Sequence, residues 1–184
     1  MRSFIAVDIK NEKVEAVLDE LKKVNADIKV VEPQNLHLTL KFLDEISEDA
    51  IEKINVVMQK SFKYFQPFNI SLRGIGIFPS FEYMRVIWIS INDGTKNLIE
   101  IQRSLDANLI AINFEPEIRF DPHLTIGRVK YQRGKEDLIN FILKHKDDDF
   151  GNIVIDKVEL KKSMLTPKGP IYSTIIKYDF KISY

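Results

Sequence analysis

The pattern His-Leu-Thr-aliphatic occurs twice in this chain, as His37-Leu38-Thr39-Leu40 within NLHLTLKFL and as His123-Leu124-Thr125-Ile126 within DPHLTIGRV. Side chains of a strand alternate between faces with period two, so His37 and Thr39 share one face while Leu38 and Leu40 share the other. The second copy divides in the same way. Each copy therefore offers an apolar face to a core and a polar face to a cleft, and two of the three histidines sit in the two copies.

The flanking sequence supplies the remaining elements. Residues 3–9 are a short apolar run rich in β-formers, which predicts a buried strand. Val14, Val17, Leu18, Leu21 and Val24 recur at helical spacing, with Asn11 placed to cap the helix. A brief strand over 28–31 ends before Pro33, which precedes the first motif strand. Ser47 opens a second amphipathic helix that runs to about residue 62. Residues 68–78 and 84–91 read as strands joined by a turn at Pro79 and Ser80, and Gly74 and Gly76 mark a bend in the first of them. Leu98, Ile101, Leu105 and Leu109 form the stripe of a third helix, and a charged connection with Pro116 leads to the second motif. A shorter helix over 135–144 follows, then closing strands over 153–165 and 171–182 around the turn TPKGP.

Hairpin-type strands interleaved with four helices predict an α+β fold, with antiparallel sheets lining a central cleft and helices packed outside. The repeated order around the two motifs implies a duplication. Residues 1–184 are expected to form a single domain of two lobes related by a pseudo-twofold axis, each lobe bringing one H-x-T motif to a shared groove.

Composition narrows the chemistry. The 27 basic and 27 acidic residues cancel, which argues against a protein that grips nucleic acid over its whole surface. With no cysteine, thiolate nucleophiles, disulfides and zinc-thiolate clusters are excluded. No apolar run approaches the length of a membrane span, and the N-terminus turns charged before a signal peptide's apolar stretch forms, so a cytoplasmic protein without membrane association is expected.

Two imidazoles divide acid and base roles at neutral pH, as in-line displacement at phosphorus requires. His37 and His123 are the candidate catalytic pair. Thr39 and Thr125, two residues along on the same face, are placed to donate hydrogen bonds to nonbridging phosphate oxygens. The scheme needs neither metal nor cofactor. Two other readings stand beside it: each histidine is an ordinary hydrogen-bonded strand residue, or the two bind zinc, for which Asp121 is the only adjacent carboxylate and the ligand set is incomplete.

Phe42 and Arg128 lie five positions beyond the respective histidines, and both side chains can stack on a base. Strict alternation puts an offset of five on the apolar face, so a role in the cleft requires a bulge or a strand end. Phe42 is otherwise a core residue. Two basic clusters, Arg128 with Lys130, Arg133 and Lys135, and Lys157 with Lys161, Lys162 and Lys168, are either an RNA-backbone surface or a solvated face. Tyr172, after a Gly-Pro turn, either closes over the site or packs within its strand. His145, flanked by Lys144, Lys146 and three aspartates, reads as an exposed helix end.

PQNLHLTLKFL and FDPHLTIGRVK resemble the paired signatures of the 2H phosphoesterase superfamily, specifically its RNA 2′,3′-cyclic phosphodiesterases, also called 2′-5′ RNA ligases. The resemblance covers essentially the whole chain, with SFIAVDI, IWISI and the closing segment around Ser163, Gly169 and Tyr172 in the family's order. It implies a bilobal α+β fold and hydrolysis of 2′,3′-cyclic phosphate RNA ends to 2′-phosphates without a metal or nucleotide cofactor; RNA ends, tRNA fragments included, are the expected partners of a protein expected to be a monomer. It also implies ligation as the reverse reaction. Small cyclic nucleotides or ADP-ribose cyclic phosphate as substrates, or RNA binding without turnover, are the alternatives. The sequence departs from the family at Asp44, where Gly commonly follows the Phe-Leu pair.

Overall fold

The structure is a computed structural model, and it describes residues 1–167 and 169–182. The order of elements is β1 (Arg2–Asp8), α1 (Glu12–Lys22), β2 (Ile28–Val30), β3 (His37–Glu45), α2 (Glu48–Phe62), β4 (Phe68–Pro79), β5 (Met84–Ile91), α3 (Thr95–Leu109), β6 (His123–Val129), α4 (Lys135–Lys144), β7 (Asp149–Ile155), β8 (Lys157–Thr166) and β9 (Gly169–Asp179). The strands form two antiparallel sheets, ordered β3-β1-β8-β9 and β2-β6-β5-β4-β7. This is the expected α+β architecture. No helix among the described residues is long and apolar enough to cross a membrane.

The duplication is visible in the pairing. β3 lies beside β1 as β6 lies beside β5, and beyond them β8 with β9 matches β4 with β7. The helices exchange sides in the same sense. α2 packs on β9 and on α3, which also reaches β3, while α1 packs on β2 and β7 and α4 on β4. The motif strand of each sheet is thus backed by apolar helix faces, with Leu38, Leu40, Leu124 and Ile126 at 2% exposure or less in one continuous buried cluster. That burial forces the histidines and threonines to the opposite, open face.

Local caps follow the sequence. Asn11 accepts the Val14 N–H at 2.9 Å and begins α1. Ser47 precedes α2 as expected, though its hydroxyl makes no capping bond. The stretch 153–165 is not one strand. It divides at Asp156 into β7, which completes the second sheet, and β8, which enters the first. The strand expected over 171–182 begins at Gly169 and ends at Asp179.

Candidate active site

The two motif strands share one irregularity. Opposite β1, Ile5 pairs with Lys41 and Ala6 with Thr39, so Leu40 is an extra residue; opposite β5, Ile87 pairs with Gly127 and Trp88 with Thr125, so Ile126 is extra. Each strand carries a β-bulge directly after its threonine. Two successive residues, Leu40 with Lys41 and Ile126 with Gly127, then face inward, and the residue after them returns to the open face. Phe42 and Arg128 therefore stand on the histidine side of their strands. The core alternative for Phe42 is overturned: its side chain is 56% exposed. The bulge that a cleft role requires is present in both copies.

Cα atoms of β3 and β6 come within 8 Å of one another, although the strands belong to different sheets. The guanidinium of Arg128 acts electrostatically on both His37 and Tyr172 of the facing sheet. The two open faces thus converge on one cleft.

Each histidine is oriented alike. Nδ1 of His37 lies 2.7 Å from the Asn35 carbonyl oxygen, and Nδ1 of His123 lies 2.8 Å from that of Asp121. A carbonyl oxygen only accepts, so Nδ1 carries the proton in both rings and Nε2 is the exchanging position. Among the described residues, no protein group engages the hydroxyl of Thr39 or Thr125. Burial holds the His37 imidazole below the usual histidine range, assisted by Lys161 and Arg128 and opposed by the Asn35 carbonyl and Asp8.

An aromatic ring stands edge-on to each imidazole, Tyr172 to His37 at 5.3 Å and 89°, and Phe78 to His123 at 5.4 Å and 84°. Phe4 adds a third ring at 4.9 Å from His37. Tyr172 belongs to β9, three strands from β3, which in a flat sheet is a separation of about 14 Å. The first sheet must therefore curl to bring the rings together, and the Asn35 amide fixes the curl by donating to the Pro170 carbonyl at 3.2 Å. Burial raises the Tyr172 phenol, with Arg128, Arg2 and Lys161 pulling the other way. Phe78 had no signal in the sequence, because a phenylalanine in an apolar run reads as core.

A family model described as LigT-like phosphoesterase matches residues 7–88 and again 89–172. The chain belongs to this family, the 2H phosphoesterases. It is 43% identical over 177 residues to the RNA 2′,3′-cyclic phosphodiesterase of Methanocaldococcus jannaschii, covering 95% of this chain and 98% of that one. The enzyme of the same name from Methanothermobacter thermautotrophicus is 39% identical over 176 residues, 94% of this chain and 95% of the other. A crystal structure from Thermus thermophilus superposes with a TM-score of 0.81 at 27% identity, covering 98% of both chains. The Escherichia coli LigT structure complexed with 3′-AMP, 20% identical over 98% of both chains with a TM-score of 0.76, shares the fold. As a 2H phosphoesterase the chain is a hydrolase of phosphodiesters.

The basic clusters separate into different roles. Arg128 faces the cleft, but Arg133 pairs with Asp27 at 2.7 Å and the Lys135 ammonium donates to the Glu82 carbonyl at 2.9 Å. Lys161 is not on a solvated face. It is 5% exposed on the cleft floor, bonded to Asp8 at 2.6 Å and to Glu159 at 3.4 Å. Burial pushes the Glu159 carboxyl up, but the Thr174 hydroxyl and Lys161 outweigh it and hold the group below its usual value. Lys157 lies at the edge of this network, 4.0 Å from Glu159, Lys162 is exposed, and Lys168 lies outside the described residues.

Lys41, the second bulge residue of β3, is likewise buried, at 4% exposure. Its ammonium meets Asp106 at 3.0 Å, Glu117 at 3.3 Å and the Glu115 carbonyl at 2.5 Å. The first motif strand thereby holds the connection that ends at Asp121, whose carbonyl orients His123. His145 also departs from expectation. It is 5% exposed rather than at an open helix end, with Nδ1 2.6 Å from Asp148 and Nε2 3.0 Å from Glu20.

Proposed function

We propose that this 2H phosphoesterase opens 2′,3′-cyclic phosphate ends of RNA to 2′-phosphates, with His37 and His123 as base and acid and Thr39 and Thr125 as phosphate holders. The observation that supports the reading is the matched pair of motif strands: their buried apolar residues leave two identically tethered imidazoles and two unengaged hydroxyls on the open faces, and the bulge after each threonine returns Phe42 and Arg128 to those faces. The names of the relatives at 39% and 43% identity support the substrate class.

In the proposed step, a water attacks phosphorus and gives a proton to Nε2 of one histidine. The bond from phosphorus to O3′ breaks, and the other histidine protonates O3′, leaving a 2′-phosphate and a free 3′-hydroxyl. His37, held toward its neutral form, is suited to the base role, and His123 then serves as the acid. Threonine hydroxyls and the Arg128 guanidinium stabilise charge on the nonbridging oxygens. A 5′-hydroxyl in place of water gives a 2′-5′ linkage by the same displacement, which is the proposed ligase reaction. Phe42 and Tyr172 offer ring faces and edges to the terminal nucleoside. Residues 1–184 act in this reading as one domain of two lobes, supported by the continuous buried cluster.

The test is product analysis on an oligonucleotide ending in a 2′,3′-cyclic phosphate. A 2′-phosphate product, formed at an undiminished rate in EDTA, is expected. A 3′-phosphate product, a strict need for a divalent metal, or binding without turnover would each overturn the proposal.

A further inference from the structure

A concavity of 260 Å³ opens on the second sheet beside His123, outside both motifs, and Arg73, Trp88, Ser90, Asn92, Lys146 and Asp147 line it. Ser90 pairs with His123 across β5 and β6, so their side chains leave the sheet on the same face. Arg73 pairs with Ser90 one strand further on. The concavity is thus a continuation of the cleft floor, beginning on β5, the strand next to that of His123.

Its walls are built rather than incidental. At the β4 bulge, Gly74 takes φ of 75°, its N–H donates to the Asp148 carbonyl at 2.8 Å, and the Ile75 N–H donates to that of His145 at 3.1 Å. A Cβ on Gly74 would run into the Lys146 carbonyl, so glycine is what lets the 145–148 turn sit against the strand. The buried His145, clamped between Asp148 and Glu20, anchors that turn and brings Lys146 and Asp147 to the rim. On the other side, the Trp88 indole lies flat over Gly76, where a Cβ would meet its six-membered ring, and Phe78 stacks on it at 4.8 Å and 26°. Among the described residues no hydrogen bond holds the indole N–H. Trp88, Phe78 and His123 form a continuous aromatic floor.

The opposite wall has another character. At the positions matching Ser90, Trp88 and Phe78, the first sheet has Asp8, Ala6 and Lys161. At these positions the first sheet carries paired charges, beside the rings of Phe4 and Tyr172 at His37, whereas the second carries an aromatic shelf leading to two cations. Among the described residues no carboxylate pairs with Arg73, and Lys146 has only the exposed Asp147 at 3.9 Å. An aromatic shelf with cations at its far end is the arrangement that takes a stacked base and the next backbone phosphate of a single strand.

We infer that this concavity is a subsite for the nucleotide preceding the cyclic end, with Trp88 and Phe78 taking its base and Arg73 and Lys146 the adjoining phosphate, so that the enzyme selects polynucleotide ends over cyclic mononucleotides. The inference rests on the cyclic phosphodiesterase reading above and names what lies beyond the reacting phosphate. It is tested by kcat/KM on 2′,3′-cyclic phosphate substrates of one, two and three nucleotides, with the wild-type protein and with Arg73→Gln/Lys146→Gln. The wild type should favour the trinucleotide over the mononucleotide at least tenfold at low salt. The double variant should lower that ratio about tenfold and make the salt dependence on the trinucleotide shallower, by about 0.7 in log–log slope for each phosphate no longer held. A wild-type ratio near one, or a ratio unchanged in the double variant, overturns the subsite while leaving the cyclic phosphodiesterase reading standing. Inactivity of the wild type on every length overturns that reading and the subsite with it.

Discussion

The proposed chemistry depends on a few side chains held by groups that cannot themselves react. His37 and His123 point Nε2 into the cleft because backbone carbonyls occupy Nδ1. With His37 as the base, the low-pH limb of kcat/KM should have its midpoint below the ordinary histidine value of about 6.5, since burial lowers this group and the base must be neutral to work. A midpoint above that value would contradict the assignment. The same shift makes the unfolded chain bind more protons, so the stability it contributes is full above about pH 6.5 and is lost as pH falls through the folded-state value. A substrate with an activated leaving group adds a second check: it should rescue His123→Ala but not His37→Ala, because only the acid becomes dispensable. Asp44 raises a different matter. Its φ of 53° lies in the left-handed region, which glycine adopts at no steric cost and most other residues avoid. Melting temperatures should rank Asp44→Gly at or above the parent and Asp44→Val below it, the latter by about 1–2 kcal/mol. Equal stabilities would show that the backbone at residue 44 carries no strain.

At the level of elements, the bulges of β3 and β6 do what alternation alone does not. They add one inward residue and return Phe42 and Arg128 to the cleft. The sequence showed the motif strands, the four helices and the faces of His37, Thr39, His123 and Thr125, because those follow from period and apolar pattern. It did not show the bulges, since a bulge is a property of the pair of strands and not of either one. The break at Asp156 was hidden for a related reason: β7 and β8 are both rich in β-formers, and sheet membership is decided by partners far away in sequence. The charged neighbours of His145 pointed to solvent, whereas its carboxylate partner Glu20 comes from α1. Lys41 gives the element-level test. Lys41→Met leaves Asp106 buried without its cation and should cost about 3–5 kcal/mol in denaturant unfolding, and Asp106→Leu added to it should recover part of the loss. A cost below about 1 kcal/mol would mean that the buried ion pair does not hold the 113–122 connection.

For the whole molecule, duplication explains both the symmetry and its limits. In the proposed mechanism two half-sites, each with one imidazole and one hydroxyl, become a single acid-base pair only where β3 and β6 meet. The pseudo-twofold relation does not extend to every side chain of the cleft, since the first sheet has Asp8, Ala6 and Lys161 where the second has Ser90, Trp88 and Phe78. In this scheme His37 and His123 are parts of one machine acting on one phosphate. The most direct measurement is a double-mutant cycle in kcat on a 2′,3′-cyclic phosphate oligonucleotide with His37→Ala, His123→Ala and the double variant, each checked for folding by its melting transition. Groups that act in one displacement are strongly non-additive. Each single variant should lose at least about a hundredfold, and the double variant should be little worse than the more impaired single one. Near-full activity in either single variant, or losses that simply multiply in the double, would contradict a shared site.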